Sequence, residues 1–273
     1  MKWDEDFQYE TVLIYSALSQ KSAIFRPQLI VWPETAVPFF FQDDTHLSLL
    51  VSRVARITGA DVLFGSPAYK AKDHAISYYN RVYLLHDDGE YECYDKVHLL
   101  PFGEYVPLKR FLPFVRRLVP AAGDFEPGTR LEPLTSGDLR LGPLICYEAI
   151  FPELSRKLAL QGTDLLVNVT NDAWFGHTSA PYQHLSMAVL RCVETRLPMA
   201  RAANTGVSAF ILSNGKIVKQ SGLFTRELLT YELRLGHLAT FYSHYGDMFA
   251  ILILLGTIMW LIWALTIKRR LIT

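Results

Sequence analysis

Three side chains in this sequence have the types needed for covalent chemistry at a carbonyl: Cys146, Glu34 and Lys96. Cys146 closes the apolar run Leu141-Gly-Pro-Leu-Ile-Cys146, Glu34 closes Val31-Trp-Pro-Glu34, and Lys96 lies in Tyr94-Asp-Lys-Val-His98. A thiol attacks an acyl carbon as its thiolate, so it needs a base to take the proton and positive potential nearby. A carboxylate projecting from the end of a strand can be that base. A lysine can stabilise both the thiolate and the oxyanion of a tetrahedral intermediate. Each residue alone is unremarkable, since a lone cysteine at a strand end is usually a small packed hydrophobe and a lone loop Glu or Lys is usually solvated. Together, at the ends of three separate strands, they point to acyl or nitrile chemistry.

The elements that must position them are readable from periodicity. Apolar spacing predicts helices over residues 9–24, 46–57, 153–161 and 182–196. Short apolar runs bounded by Pro, Gly or Asp predict buried strands at Gln28–Trp32, Asp61–Gly65, Arg140–Cys146, Asp164–Val169, Met199–Ala203 and Val207–Leu212. Ser77–Leu85, the Asp87-Asp-Gly turn and Tyr91–Tyr94 read as a hairpin that delivers Lys96 just beyond its second strand, and Asn214-Gly215 marks another hairpin turn. Strands alternating with helices, with hairpins inserted, give an α/β or mixed layered sandwich rather than a pure parallel barrel. The segment 105–134 is rich in Pro, Gly and aromatic residues and too long for an ordinary connection, the usual mark of a functional loop.

Composition narrows the class. With 273 residues the chain can bury one large core, or one core and a small appendage. Its 27 basic and 27 acidic residues balance, which leaves no footprint for nucleic acid. Half of the residues are hydrophobic, which excludes general disorder. The three cysteines cannot all pair and show no CxxC or Cys/His ligand spacing, so Cys93 and Cys192 are read as structural. Met248–Ile267 carries no charge; at ~1.5 Å per residue it spans about 30 Å, the thickness of a hydrocarbon core. Lys268-Arg-Arg270 follow directly, and the positive-inside rule keeps that end cytoplasmic. The expected organisation is a catalytic domain over 1–245, a transmembrane helix over 246–267 and a cytoplasmic basic tail over 268–273, with the domain in the periplasm of a bacterium. The polar start Met1-Lys-Trp-Asp-Glu-Asp offers neither signal peptide nor membrane span, so upstream membrane segments are expected to belong before it.

The contexts of the three residues resemble the nitrilase, or carbon-nitrogen hydrolase, superfamily: Trp32-Pro-Glu34, Asp95-Lys-Val-His-Leu99 and Gly142-Pro-Leu-Ile-Cys146, in the family's order. The narrower words Trp32-Pro-Glu-Thr35, Pro101-Phe-Gly-Glu-Tyr-Val-Pro107, Cys146-Tyr-Glu148 and Asn171-Asp-Ala-Trp-Phe-Gly176 are similar to the apolipoprotein N-acyltransferase branch. That resemblance implies a nitrilase-like four-layer α-β-β-α sandwich followed by one C-terminal transmembrane helix. It implies Glu34 as general base, Lys96 as transition-state stabiliser and Cys146 as nucleophile, with Glu104, Tyr147, Glu148 and Trp174 in binding or supporting positions. The reaction it implies is transfer of a fatty acyl chain from a phospholipid donor, through a Cys146 thioester, to the amino group of a diacylglyceryl apolipoprotein. It requires no cofactor or metal, and its partners are the two lipid substrates and the bilayer of the bacterial inner membrane. Members of this branch carry membrane helices and a first strand before the matched region, so the catalytic domain is expected to be N-terminally incomplete.

Other signals weigh less. Phe111–Val119 mixes apolar bulk with Arg116 and Arg117, which suits an interfacial helix about as well as an ordinary surface helix. Trp174-Phe-Gly176 suits either a mobile apolar lid or a core plug. His177 and His184 share a helical spacing but lack a third ligand, so a metal reading is poor. Asn168-Val-Thr170 matches a glycosylation acceptor inside an expected buried strand and is discarded. The competing functions are a membrane-tethered amidase or nitrilase, with water as acceptor, and an inactive, truncated remnant.

Overall fold

A computed structural model describes residues 5–43, 45–72, 75–107, 125–236 and 238–272. Among these, helices α1 (Glu5–Ser22) and α2 (His46–Thr58) flank strand β1 (Leu29–Val31). Strands β2 (Asp61–Lys72), β3 (Ala75–Leu85) and β4 (Tyr91–Asp95) follow as an antiparallel meander, with β1 parallel to β2 at the edge of a four-stranded sheet. The β3–β4 turn closes on Gly89, whose φ of 97° few other residues adopt.

The second half of the chain contains β5 (Leu134–Ser136), β6 (Leu139–Ile145), helix α3 (Pro152–Leu160), β7 (Leu165–Asn171), helix α4 (Ala180–Thr195), β8 (Met199–Asn204), β9 (Ala209–Ile211) and β10 (Ile217–Gln220). They form a six-stranded sheet in the order β10-β9-β8-β7-β6-β5. Strands β6, β7 and β8 run parallel with α3 and α4 as crossovers, and antiparallel hairpins extend both sides.

The period-2 alternation of side chains sorts each strand between two faces. On β2, Val62 and Phe64 join Val12, Val51 and Val54 of α1 and α2, while Leu63 points the opposite way. Leu63, Val82 and Leu84 pack against Leu141, Ile145, Leu165, Val167 and Val169 of the second sheet. On the outer side of that sheet, Leu144, Leu166 and Met199 meet Leu154 and Leu158 of α3 and Leu185 and Ala188 of α4. Three apolar interfaces therefore separate four layers, helix-sheet-sheet-helix, as the family resemblance implied and within the layered α/β class that the pattern of strands and helices predicted.

Helix α5 (Phe241–Tyr245) is tied to the outer helical layer: Thr240 Oγ1 donates to Glu194 O at 2.7 Å, and Arg156 Nη1 donates to Ser243 O at 2.9 Å. Helix α6 (Met248–Ile272) follows, and its Met248–Ile267 stretch, with 0% buried inside the protein, is long and apolar enough to cross a membrane. The interfacial helix considered at Phe111–Val119 lies outside the described residues.

Candidate active site

Parallel strands end together, and their carboxyl ends are where polar groups can converge over a sheet. Here Glu34 follows β1, Cys146 follows β6, Asn171 ends β7 and Asp172 follows it. The first sheet's hairpin adds Lys96 after β4 and Asn80 from within β3.

Glu34 is buried because the chain beyond β1 stays bonded to β2: Trp32 N–H donates to Leu63 O at 2.8 Å and Gly65 N–H to Pro33 O at 3.2 Å. Gly65 is required there. A Cβ on it would stand 2.6 Å from Thr35 N and 2.7 Å from Glu34 Cα, so no side chain fits. Glu34 Oε1 accepts from Asn80 Nδ2 at 2.7 Å, and Oε2 accepts from Asn171 N–H at 2.8 Å. The same Asn80 amide donates to Glu104 Oε1 at 2.7 Å, and Leu100 N–H donates to Glu104 Oε2 at 2.7 Å.

Lys96 is 1% exposed; its Nζ lies 2.8 Å from Glu104 Oε2 and 3.9 Å from Glu34 Oε1. Burial alone would push this amine down. The negative charges of Glu34, of Glu104 and of Glu148, joined by Cys146 whenever it ionises, outweigh burial and hold it well above the ordinary lysine range, so it stays cationic.

Cys146 is half-buried and opens a 3-10 turn, Cys146–Ile150, with φ of 50°. For a residue with a Cβ that left-handed conformation costs about 1–2 kcal/mol, and it marks the switch from β6 to the turn. Burial, then the Glu34 carboxylate, push the thiol up to about 12, against Lys96 and a Thr170 hydrogen bond that pull it down. The resting group is therefore a thiol coupled to both Glu34 and Lys96.

Glu148 is fully buried, and its carboxylate accepts from Tyr94 OH (2.8 Å), Val97 N–H (2.8 Å), His98 N–H (3.1 Å) and Ile145 N–H (2.7 Å). It knots the turn after β6 to the loop that carries Lys96. Desolvation pushes its carboxyl up to about 6, with Lys96 and these donors opposing. Tyr147 packs edge-on against Phe151, with ring centroids 4.9 Å apart, and His98 stacks on the same ring. Trp174 is 73% exposed, which excludes the core-plug alternative.

Periodicity passed over several polar groups that the fold brings here. Asn80 sits on the same face of β3 as Val82 and Leu84 and bridges two carboxylates. Asp172, His184 and Arg201 form a buried network behind Cys146. The two histidines that a metal would have needed go to different partners, His177 to the Phe224 ring and His184 to Asp172 and Cys146 O. Cys192 is buried in the core, whereas Cys93 is exposed on β4.

This fold, with a thiol, a carboxylate and a lysine brought to one place, defines a class: the chain belongs to the carbon-nitrogen hydrolase family, whose model matches residues 1–242. Within it, the chain is 48% identical over 252 residues to the apolipoprotein N-acyltransferase of Geobacter metallireducens, covering 92% of this chain and 48% of that protein. It is 34% identical over 255 residues to the apolipoprotein N-acyltransferase of Haemophilus influenzae, covering 91% and 48%. The chain thus spans about half the length of these relatives. Among solved structures it is similar to a carbon-nitrogen hydrolase from Helicobacter pylori, with a TM-score of 0.62 at 15% identity over 78% of this chain and 80% of that one. It is also similar to an amidase from Nesterenkonia, with a TM-score of 0.60 at 19% identity over 90% and 92%. These two likenesses establish the four-layer fold.

Proposed function

We propose that this chain carries the catalytic domain of a membrane-bound apolipoprotein N-acyltransferase. The observation that carries the reading is the buried Glu34–Asn80–Glu104–Lys96 cluster coupled to the thiol of a left-handed Cys146. Identity to relatives of that name over most of the chain supports the choice of acyl transfer.

In the first half-reaction, Glu34 takes the Cys146 proton as sulfur attacks the ester carbonyl of a phospholipid. Lys96 stabilises the oxyanion of the tetrahedral intermediate. The intermediate collapses by expelling the lysophospholipid oxygen, which leaves with the proton held by Glu34, and an acyl-Cys146 thioester remains. In the second half-reaction the amino group of a diacylglyceryl-cysteine attacks the thioester and Glu34 takes its proton. Collapse expels the Cys146 thiolate, which recovers that proton, and the product is an amide.

Glu104 and Asn80 hold Glu34 and Lys96 in register, and Glu148 fixes the distance between the Lys96 loop and the Cys146 turn. Exposed aromatic residues flank these groups in sequence, Phe102 before Glu104 and Trp174 after Asp172, and would meet apolar substrate. The domain assignment is catalytic over 1–245, spanning over 246–267 and cytoplasmic over 268–273. In this reading the apolar stretch crosses the bilayer and the site lies beside it, with the basic tail on the inner face and the domain on the periplasmic side of a bacterial inner membrane.

The test is the intact mass of the detergent-purified chain after incubation with phospholipid, beside Cys146→Ala. The expected result is a fatty-acyl adduct on the wild type alone, removed by hydroxylamine. Release of free fatty acid without transfer to a diacylglyceryl peptide would make it a hydrolase. A folded chain that forms no adduct would overturn the reading for this polypeptide.

A further inference from the structure

Behind Cys146 lies a polar network that none of the steps above uses. His184 of α4 is buried; its Nε2 stands 3.0 Å from the carbonyl oxygen of Cys146 and its Nδ1 stands 3.1 Å from Asp172 Oδ1. A carbonyl oxygen can only accept, so Nε2 carries a proton and donates it to Cys146. Asp172 is in turn held by Thr170 Oγ1 at 2.9 Å and by Arg201 Nη2 at 3.0 Å. Arg201 Nη2 also lies 3.2 Å from His184 Nδ1, and Nη1 donates to Asn168 Oδ1. Asn168 Nδ2 then donates to Leu144 O at 2.8 Å, two residues before the thiol.

The network therefore grips the backbone on both sides of the strained residue, at Leu144 O and at Cys146 O. Space has been cleared for it: a Cβ on Gly206 would stand 2.2 Å from Asp172 Oδ2. An ordinary core ion pair between Asp172 and Arg201 would need neither the imidazole nor its aim at that carbonyl.

We propose that His184, oriented by Asp172 and Arg201, is a positioning residue that holds Cys146 in its left-handed conformation and so aims the thiol at the acyl carbon. His184 touches no substrate; it acts through the Cys146 backbone. The kinetic part rests on the acyltransferase reading, whereas the clamp itself is a statement about the backbone and is measurable without substrate.

Glutamine places an amide N–H near the position of Nε2, and asparagine places one near Nδ1. The experiment compares wild type, His184→Gln and His184→Asn in the full chain in detergent, by hydrogen exchange resolved to peptides and by acylation with phospholipid in mixed micelles. In His184→Asn, exchange in peptides covering 144–150 should rise about tenfold while β2, β3 and α2 stay as in wild type. The rate of thioester formation should fall about 100-fold with KM for the donor changed less than about threefold. His184→Gln should keep both readouts within about fivefold of wild type. Uniformly faster exchange across the core would make His184 a general structural residue and overturn the proposal. So would equal behaviour of the two variants, or unchanged exchange at 144–150. Should His184→Asn fail to fold, raised exchange at 144–150 in His184→Gln overturns it, and wild-type behaviour there sustains it. Should the wild type form no thioester, the acyltransferase reading fails while the exchange pattern still decides the clamp.

Discussion

Glu148 offers a prediction whose opposing contributions can be set against each other. Its buried carboxyl is pushed up by desolvation from 4.5 to about 6. The folded chain therefore binds this proton more tightly than the unfolded chain does. The stability it contributes is fully present below pH about 4.5 and is lost as pH rises through about 6, a change of about 2 kcal/mol. Glu148→Gln removes that titration and turns one acceptor oxygen into a donor. The less costly orientation faces the amide toward Ile145 N–H, since the other would confront Tyr94, Val97 and His98 together. Against the ionised wild type this loses one charge-assisted bond and sets two buried donors face to face, whereas the protonated wild type already turns one O–H toward these donors. The stability gap between wild type and variant should thus shift in favour of the wild type by about 2 kcal/mol from pH 7 to pH 4.5, where only the wild type regains its bound proton. Urea denaturation followed by tryptophan fluorescence, on both proteins at each pH, measures the gap. Taking the difference cancels the lowered carboxyls of Asp95 and Asp172, which are common to both proteins. A gap that stays constant, or narrows toward acid, would refute the reasoning.

Gly65→Ala should destabilise the chain by about 2–4 kcal/mol and abolish the acyl adduct, because the new Cβ displaces the backbone of Glu34; thermal unfolding and intact mass check both. Cys146→Gly should be more stable than Cys146→Ala by about 1 kcal/mol, since glycine adopts a φ of 50° without strain; equal stabilities would argue against a strained turn. Alkylation of Cys146 by iodoacetamide should keep accelerating well past the ordinary thiol range, its thiol being held up at about 12, and a plateau below pH 9.0 would contradict that environment. A chain ending at Asp247 should move from the membrane fraction to the soluble fraction on centrifugation, and its persistence with vesicles would place the anchor elsewhere.

What the sequence made legible follows physical period. The helices at 46–57, 153–161 and 182–196 and the buried strands feeding Glu34 and Cys146 were readable because apolar residues recur at 3.6 or run unbroken between turn residues. Strand β2 extends to Lys72, beyond the expected Gly65, because its outer half is polar and is held by the ladder to β3 rather than by burial on both faces. Strand β5 was passed over: three residues in a Pro-rich stretch have no period of their own and form by pairing with β6. Cys146, Glu34 and Lys96 stood out by type and by the strand ends they follow. Asn80, Asp172, His184 and Arg201 did not, since a polar residue inside a strand or helix gains meaning only from the partner that folding sets opposite it. One faint signal existed, that such groups at inward registers must be satisfied or they would be excluded from a core.

The short turn between α5 and the apolar helix has a mechanical consequence. Thr240 and Ser243 are bonded to the layer that carries α3 and α4, and only Gly246 and Asp247 separate α5 from Met248. With that helix in a bilayer, the catalytic layer rides on a stalk rather than a leash. A long flexible linker would let the thiol sweep a hemisphere above the lipid; this one fixes its altitude. Under the proposed reaction, selection among lipid esters would then depend partly on how far each reacting bond can be lifted out of the bilayer, a ruler that no pocket residue needs to supply.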